Sequence, residues 1–243
     1  MRSFLLFIFA GLLSFSPALA CRPMLTDDCG VIPRGSLLLE TGVLSYSQSI
    51  SSSQTLATTV TYGIAPNTQI AVDLPYCRIS SNGNAVAGIG DVNVKAKVQI
   101  SEAEINPFGF SFTVGSKLNN GDVNQGLGSG QSELFANAVL TRPTRFGAVH
   151  LNLGYTLTGV LSNYAAYNPI NLSAILEYNL AEQTKIFSEI AGMTSQATAP
   201  LQLTLGLNKS FSEYLTLDCG AYFGLTDAVP KSIYTMGVTA SLI

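Results

Sequence analysis

Beyond about residue 35, apolar and polar side chains alternate singly along most of the chain. The stretch GDVNVKAKVQI, residues 90–100, has Val92, Val94, Ala96, Val98 and Ile100 on one side of an extended chain. Asp91, Asn93, Lys95, Lys97 and Gln99 fall on the other, because successive strand side chains point to opposite faces. FGFSFTVGSKL repeats the pattern, with Phe108, Phe110, Phe112, Val114 and Leu118 against Gly109, Ser111, Thr113, Gly115 and Lys117. VHLNLGYTL, INLSAILEYNL and LQLTLGLNK do the same. The period is two throughout and no 3.6-residue pattern competes, so the chain is expected to be all-β. Strands are predicted over about 36–47, 54–64, 68–78, 90–101, 108–118, 131–141, 147–159, 169–180, 184–194, 200–210, 214–225 and 232–243. SLLLETGVL and KIFSEIAGM differ in carrying apolar residues on both faces.

The connections have a period of their own. APN, EAEINP, RPT, AEQ and SFSE follow every second strand and are short. The others, such as ISSNGNAVAGIG and NNGDVNQGLGSG, are longer and rich in Gly, Ser and Asn. A soluble β-sandwich would also have one apolar face, turned onto a second sheet. Three features favour a transmembrane antiparallel up-and-down barrel of about 12 strands. The strands run to about 10–12 residues, enough to cross a bilayer at a tilt; the apolar face is almost uninterrupted; and short turns at one end oppose longer loops at the other. The valines of residues 92–98 then meet lipid and the lysines meet the lumen. Twelve strands at about 4.8 Å spacing and about 40° tilt give a backbone diameter of about 24 Å, a narrow or plugged bore.

The same parity assigns lumen-lining candidates: Asp73, Asp91, Lys95, Lys97, Lys117, Glu133, His150, Glu177, Lys185, Glu189 and Asp218, with Glu40 beside them. Both signs line one interior, so a partly hydrated salt-bridge network is expected. Lys209 is outward by parity and lies at the short-turn end, where it can snorkel to the interface.

The amino terminus divides the chain. Met1-Arg2, an apolar run from Phe4 to Phe15 and the small-residue site before Cys21 read as a signal peptide over residues 1–20, cleaved after Ala20. Cys21 directly after the cleavage site also allows a lipoprotein signal. Residues 21–35 precede the barrel, which takes residues 36–243. Cys21 and Cys29 are close enough in sequence for a local disulfide in an oxidising compartment. Cys77 and Cys219 fall on opposite faces and are not expected to pair. Residues 21–35 either hang free or fold inward as a plug, bringing Asp27 and Asp28 to Lys95, Lys97 or Lys185.

Composition agrees with a membrane barrel: 47% hydrophobic, 11% charged, 22 Gly and no Trp, at a net charge of −3. No basic patch suits nucleic acid. His150, the only histidine, points inward rather than toward a serine at the lipid boundary, so no catalytic residues are assigned and the protein is not expected to be an enzyme. Asp122 and Asn124 in GDVNQGLGSG lack the further ligands of a calcium loop. No cofactor or metal ligand set is expected.

Several stretches resemble a known family in order. CRPMLTDDCGVIPRGSLLLETG contains Arg22-Pro23, Thr26-Asp27-Asp28 and Gly35, and LPYC, GIGDVNVKAKV, KLNNGDVNQGLGSG, HLNLGY and TLDCGAYFGLTD follow. Together they resemble the outer-membrane proteins grouped with the MetA pathway of phenol degradation. The resemblance implies a bacterial outer-membrane barrel, inserted by the barrel-assembly machinery into outer-membrane lipid. It also implies transport of small hydrophobic or aromatic compounds. Two departures stand out: the chain ends in Ile243 where such barrels commonly end in Phe, and the absence of Trp leaves Tyr and Phe to form any interfacial girdle. The expected function is a passive channel; a non-conducting structural or surface-interaction barrel is the alternative.

Overall fold

The computed structural model describes residues 22–48, 51–81, 83–160, 168–194 and 199–242. The strands are β1 (Leu37–Gln48), β2 (Ser51–Ala65), β3 (Thr68–Ser81), β4 (Asn84–Ile89), β5 (Asn93–Ser101) and β6 (Gly109–Lys117). They continue with β7 (Glu133–Thr144), β8 (Gly147–Thr158), β9 (Ile170–Ala181), β10 (Thr184–Met193), β11 (Leu201–Ser212), β12 (Leu215–Gly224) and β13 (Ser232–Leu242). Each strand pairs antiparallel with its neighbours, and β1 pairs with both β2 and β13, so the sheet closes on itself. The ring is a twelve-stranded barrel, and β4 is an additional strand outside that count.

The additional strand corrects one expectation. ISSNGNAVAGIG reads as a loop because it is dense in Gly, Ser and Asn, yet β3 continues through it to Ser81 and turns into β4. One strand then serves two partners: Thr68–Asp73 of β3 pairs with β5, and Tyr76–Ser81 pairs with β4. The predicted fourth strand accordingly begins at Asn93 rather than Gly90, after a break at residues 90–92.

Burial is inverted relative to a soluble protein. Inner-face Lys97, Ser111, Thr141, Asn152, Glu189, Thr204 and Thr239 are buried, whereas Val94, Phe112, Leu153, Leu172, Leu205 and Met236 on the other face are exposed. A soluble sandwich would bury that second set. An uncovered apolar band around a polar interior is stable only in lipid, so the barrel is a transmembrane one. No helix among the described residues is long and apolar enough to cross a membrane; the strands do so.

The parity has a direct test. Val94 is exposed on the outer face, while the Asn93 amide donates to Asp73 inside at 3.4 Å. Arginine on the lipid face costs about 2–4 kcal/mol at the bilayer midplane. Val94→Arg should therefore lower the folded yield in bilayer refolding much more than Asn93→Arg. Equal yields would contradict the assignment of faces.

Candidate functional site: the lumen and residues 22–35

Residues 22–35 lie inside the barrel and make one circuit of its inner wall. The Arg22 guanidinium donates to Asp218 on β12 at 3.4 Å and to Thr235 on β13 at 2.8 Å. The carbonyl of Pro23 accepts the Tyr222 hydroxyl of β12 at 2.7 Å. On β10 the buried Glu189 carboxylate accepts the backbone N–H of Leu25 (2.8 Å) and Thr26 (3.1 Å), together with the Thr26 hydroxyl. Thr26 also meets Ser173 of β9 at 2.6 Å. Asn152 of β8 donates to the Asp27 carbonyl at 2.9 Å, and the Cys29 N–H donates to Thr141 of β7 at 3.1 Å. Lys97 of β5 sits 2.9 Å from Asp27 and 3.5 Å from Asp28. Gln69 of β3 then accepts the Ile32 N–H at 2.8 Å, and the Gly35 N–H donates to Gly63 of β2 at 2.7 Å. Gly35, at φ +86°, takes the left-handed turn that delivers the chain into β1.

The wall is shaped for this path. A Cβ on Gly63 would collide with the Pro33 carbonyl, one on Gly109 with the Cys29 sulfur, and one on Gly206 with the Pro23 ring. These are close backbone approaches that any side chain would block. The glycines are visible in the sequence as members of the polar face; what they accommodate is not.

The remaining lumen candidates fall into local clusters. Asp73 accepts from Thr59 at 2.9 Å and pairs with Lys95 at 3.0 Å. Lys117 and Glu133 stand opposite each other on β6 and β7 and form an ion pair near the loop end. Glu177 pairs with Lys185 at 2.9 Å and lies 4.0 Å from His150, whose Nδ1 shares a 2.9 Å hydrogen bond with Thr141. His150 is thereby tied to the anchor point of Cys29. Arg22, Pro23 and Thr26, which contribute much of the seating, carry no signal in the alternation.

The signal peptide with its cleavage site, and Cys21, lie outside the described residues. Cys29 carries a free, buried thiol rather than a disulfide, and burial pushes its pKa up. Arg22 is held by β12 and β13 whereas Cys29 is held by β7 on the opposite side of the ring.

Asp91 is placed not on a strand but in the break between β4 and β5, where it accepts the N–H of Gly121 (3.0 Å) and the N–H and hydroxyl of Ser129 (2.7 and 2.8 Å). It seats the loop of residues 118–132, whose Leu127 packs toward Gly88. Burial pushes the Asp91 pKa up, but the hydrogen bonds from Ser129 and Gly121 outweigh it and hold the carboxyl below its usual range. A depressed folded-state pKa gives stability that is present above the unfolded value, about 3.9, and lost as pH falls through the lower folded value. A spin label at exposed Val123 should therefore gain mobility as pH drops below about 4, and Asp91→Asn should be loose at every pH. A label no looser in Asp91→Asn than in the wild type at neutral pH would contradict this.

On the loop side of residues 22–30, a cavity of about 870 Å³ is lined by Arg22, Asp27, Asp73, Lys95, Lys117 and Glu133 together with Leu25, Phe135, Met193, Pro200 and Val229. The lumen is thus filled from the turn end and hollow toward the loop end. Residues 21–242 match the model of the family described as "Putative MetA-pathway of phenol degradation". The chain belongs to that family. Among solved structures it is similar to the COG4313 outer membrane channel from Pseudomonas putida F1, with a TM-score of 0.72 at 14% identity, covering 89% of this chain and 99% of that one. The KdgM porin has a TM-score of 0.57 at 10% identity, covering 85% of this chain and 99% of that one. The NanC porin has the same score and identity, with coverages of 85% and 100%. At these identities the likeness establishes the shared barrel fold. A search of curated protein sequences returned no match.

Proposed function

We propose that this family member is a passive channel of the bacterial outer membrane whose bore is restricted by residues 22–35. The observation that carries the reading is the circuit itself: a wall-hugging segment, held mainly by side-chain contacts, below a cavity of about 870 Å³. Structural barrels can fill their lumen with ion pairs, but a cavity opening toward the loops gives a solute somewhere to go. The cavity mixes paired charges with Leu25, Phe135, Met193 and Val229, which suits small compounds with an apolar or aromatic body and a polar group. The segment corresponds to a plug domain following a signal peptide removed after Ala20, with insertion by the barrel-assembly machinery. In this placement the short turns face the periplasm and the longer loops the exterior. The reading assigns no catalysis: His150 is engaged by Thr141 and stands near Glu177, inside the barrel.

Single-channel recording in planar bilayers tests it. The full chain should give discrete, small conductance steps, and liposome swelling should report passage of small solutes but not of oligosaccharides. A silent bilayer with correctly folded protein would favour the non-conducting structural barrel.

A further inference from the structure

Charge is distributed asymmetrically between the two faces of this barrel. The described strand carboxylates, Glu40, Asp73, Glu133, Glu177, Glu189 and Asp218, all lie on the inner face by register and alternation. Among the described residues, the charged side chains on the outer face of the strands are Arg78, Arg142 and Lys209, all bases. Bases alone on a lipid-facing surface complement one chemistry, the phosphate layer at the rim of the hydrocarbon.

The best-formed of these positions is the β7–β8 turn. Arg142 follows outward-facing Leu140 in the alternation of β7 and stands opposite Val149 of β8, so its own strand position is lipid-facing. Its guanidinium lies over the Phe108 ring at 5.5 Å. Arg145, in the turn itself, lies over Phe146 at 4.3 Å, and Phe146 packs on Tyr178 at 5.9 Å. The Phe146 N–H donates to the Thr144 hydroxyl at 3.3 Å, which fixes the turn. Ring stacking orients a guanidinium by its face and leaves its N–H edge unspent. Among the described residues neither arginine has an ion pair or hydrogen-bond acceptor. Two oriented forks at the edge of an apolar band present the donors that a phosphate accepts in bidentate fashion. Below them Phe110, Leu140 and Leu151 are exposed to acyl chains.

We propose that Arg142 and Arg145, set on Phe108 and Phe146, form a specific binding site for the phosphodiester headgroup of a glycerophospholipid. The choice of a glycerophospholipid over the phosphates of a surface glycolipid rests on the placement of the short turns at the periplasmic leaflet.

The test uses the full barrel in a phosphate-free maltoside detergent, with phosphatidylglycerol added and retained lipid counted by native mass spectrometry. The wild type should hold lipid through desalting, and R142Q/R145Q should weaken apparent affinity by at least about tenfold, since charge-assisted bidentate contacts are removed. R142K/R145K should fall between them, because lysine keeps charge but not the fork. K231Q, in a loop at the opposite end, should bind as the wild type does. Undiminished binding by R142Q/R145Q overturns the proposal. Displacement of the lipid by an equal concentration of inorganic phosphate also overturns it, by assigning the site to a soluble anion. Folding is read by heat-modifiable gel migration. If the double variant does not fold, R145Q alone decides, since Arg145 lies in an exposed turn, and unchanged binding in R145Q is equally fatal. The outcome is independent of conductance, so a silent channel and an absent lipid site remain distinguishable.

Discussion

A barrel lacking residues 22–34 should conduct at least about threefold more current than the full chain, because open cross-section limits a short pore. A backbone diameter of about 24 Å leaves about 14 Å between inner side chains, and an extended chain laid along the wall is itself about 5 Å thick. Narrowing from one side takes away roughly half the area; a complete circuit at one height takes away most of it. Removal should not prevent closure, since the β1–β13 and β2–β3 ladders that close the ring do not include the segment. Glu189, Lys97 and Asp218 would lose partners, but in an emptied lumen water replaces them, which keeps the cost modest. The measurement is single-channel conductance on protein that retains heat-modifiable migration. A folded deletion variant with the conductance of the full chain would show that the segment does not limit passage.

Alternation makes the ring legible from sequence alone. Period-two patterning fixes which side of each strand faces lipid, and a one-residue slip would put Lys97 and Glu189 into hydrocarbon, so register is strongly specified. It fails where local chemistry and tertiary register disagree. Ala85, Ala87 and Ile89 form strand β4 because β3 runs long enough to pair with them, although the surrounding Gly, Ser and Asn read as loop. The lumen was legible by sign and, at Lys97, by partner, since the inward fold does bring Asp27 and Asp28 to that ammonium; the partners of the inward carboxylates were not legible. Glu189 and Asp218 are inward carboxylates from parity, yet what they bind is the backbone of Leu25 and Thr26 and the side chain of Arg22. No periodicity exists in residues 22–35 to announce that path. Its trace is indirect: glycines at 63 and 206 on the inner face, where the nearest atoms a Cβ would meet belong to the inserted segment.

Reversing the charge at Lys97 should unseat the segment without deleting it. The Lys97 ammonium is almost fully buried, 4% exposed, between Asp27 at 2.9 Å and Asp28 at 3.5 Å. Lys97→Glu would put a third carboxylate where the ammonium balanced two. Removing one partner of a buried pair costs about 3–5 kcal/mol, and the lower end applies because Asp27 keeps a third of its side chain in contact with solvent. About 3 kcal/mol corresponds to a shift of about a hundredfold in the seated-to-released ratio. Lys97→Glu should therefore approach the conductance of the deletion variant, while Lys97→Met, which adds no repulsion, should release the segment less. Asp27→Lys in the Lys97→Glu background restores opposite charge across the 2.9 Å contact and should return conductance toward the wild-type level, a coupling that a double-mutant cycle isolates from general loosening. Two effects that simply add, with no recovery in the swapped pair, would mean that Lys97 supports the barrel wall and that the hold on residues 22–35 lies with Glu189 and Arg22.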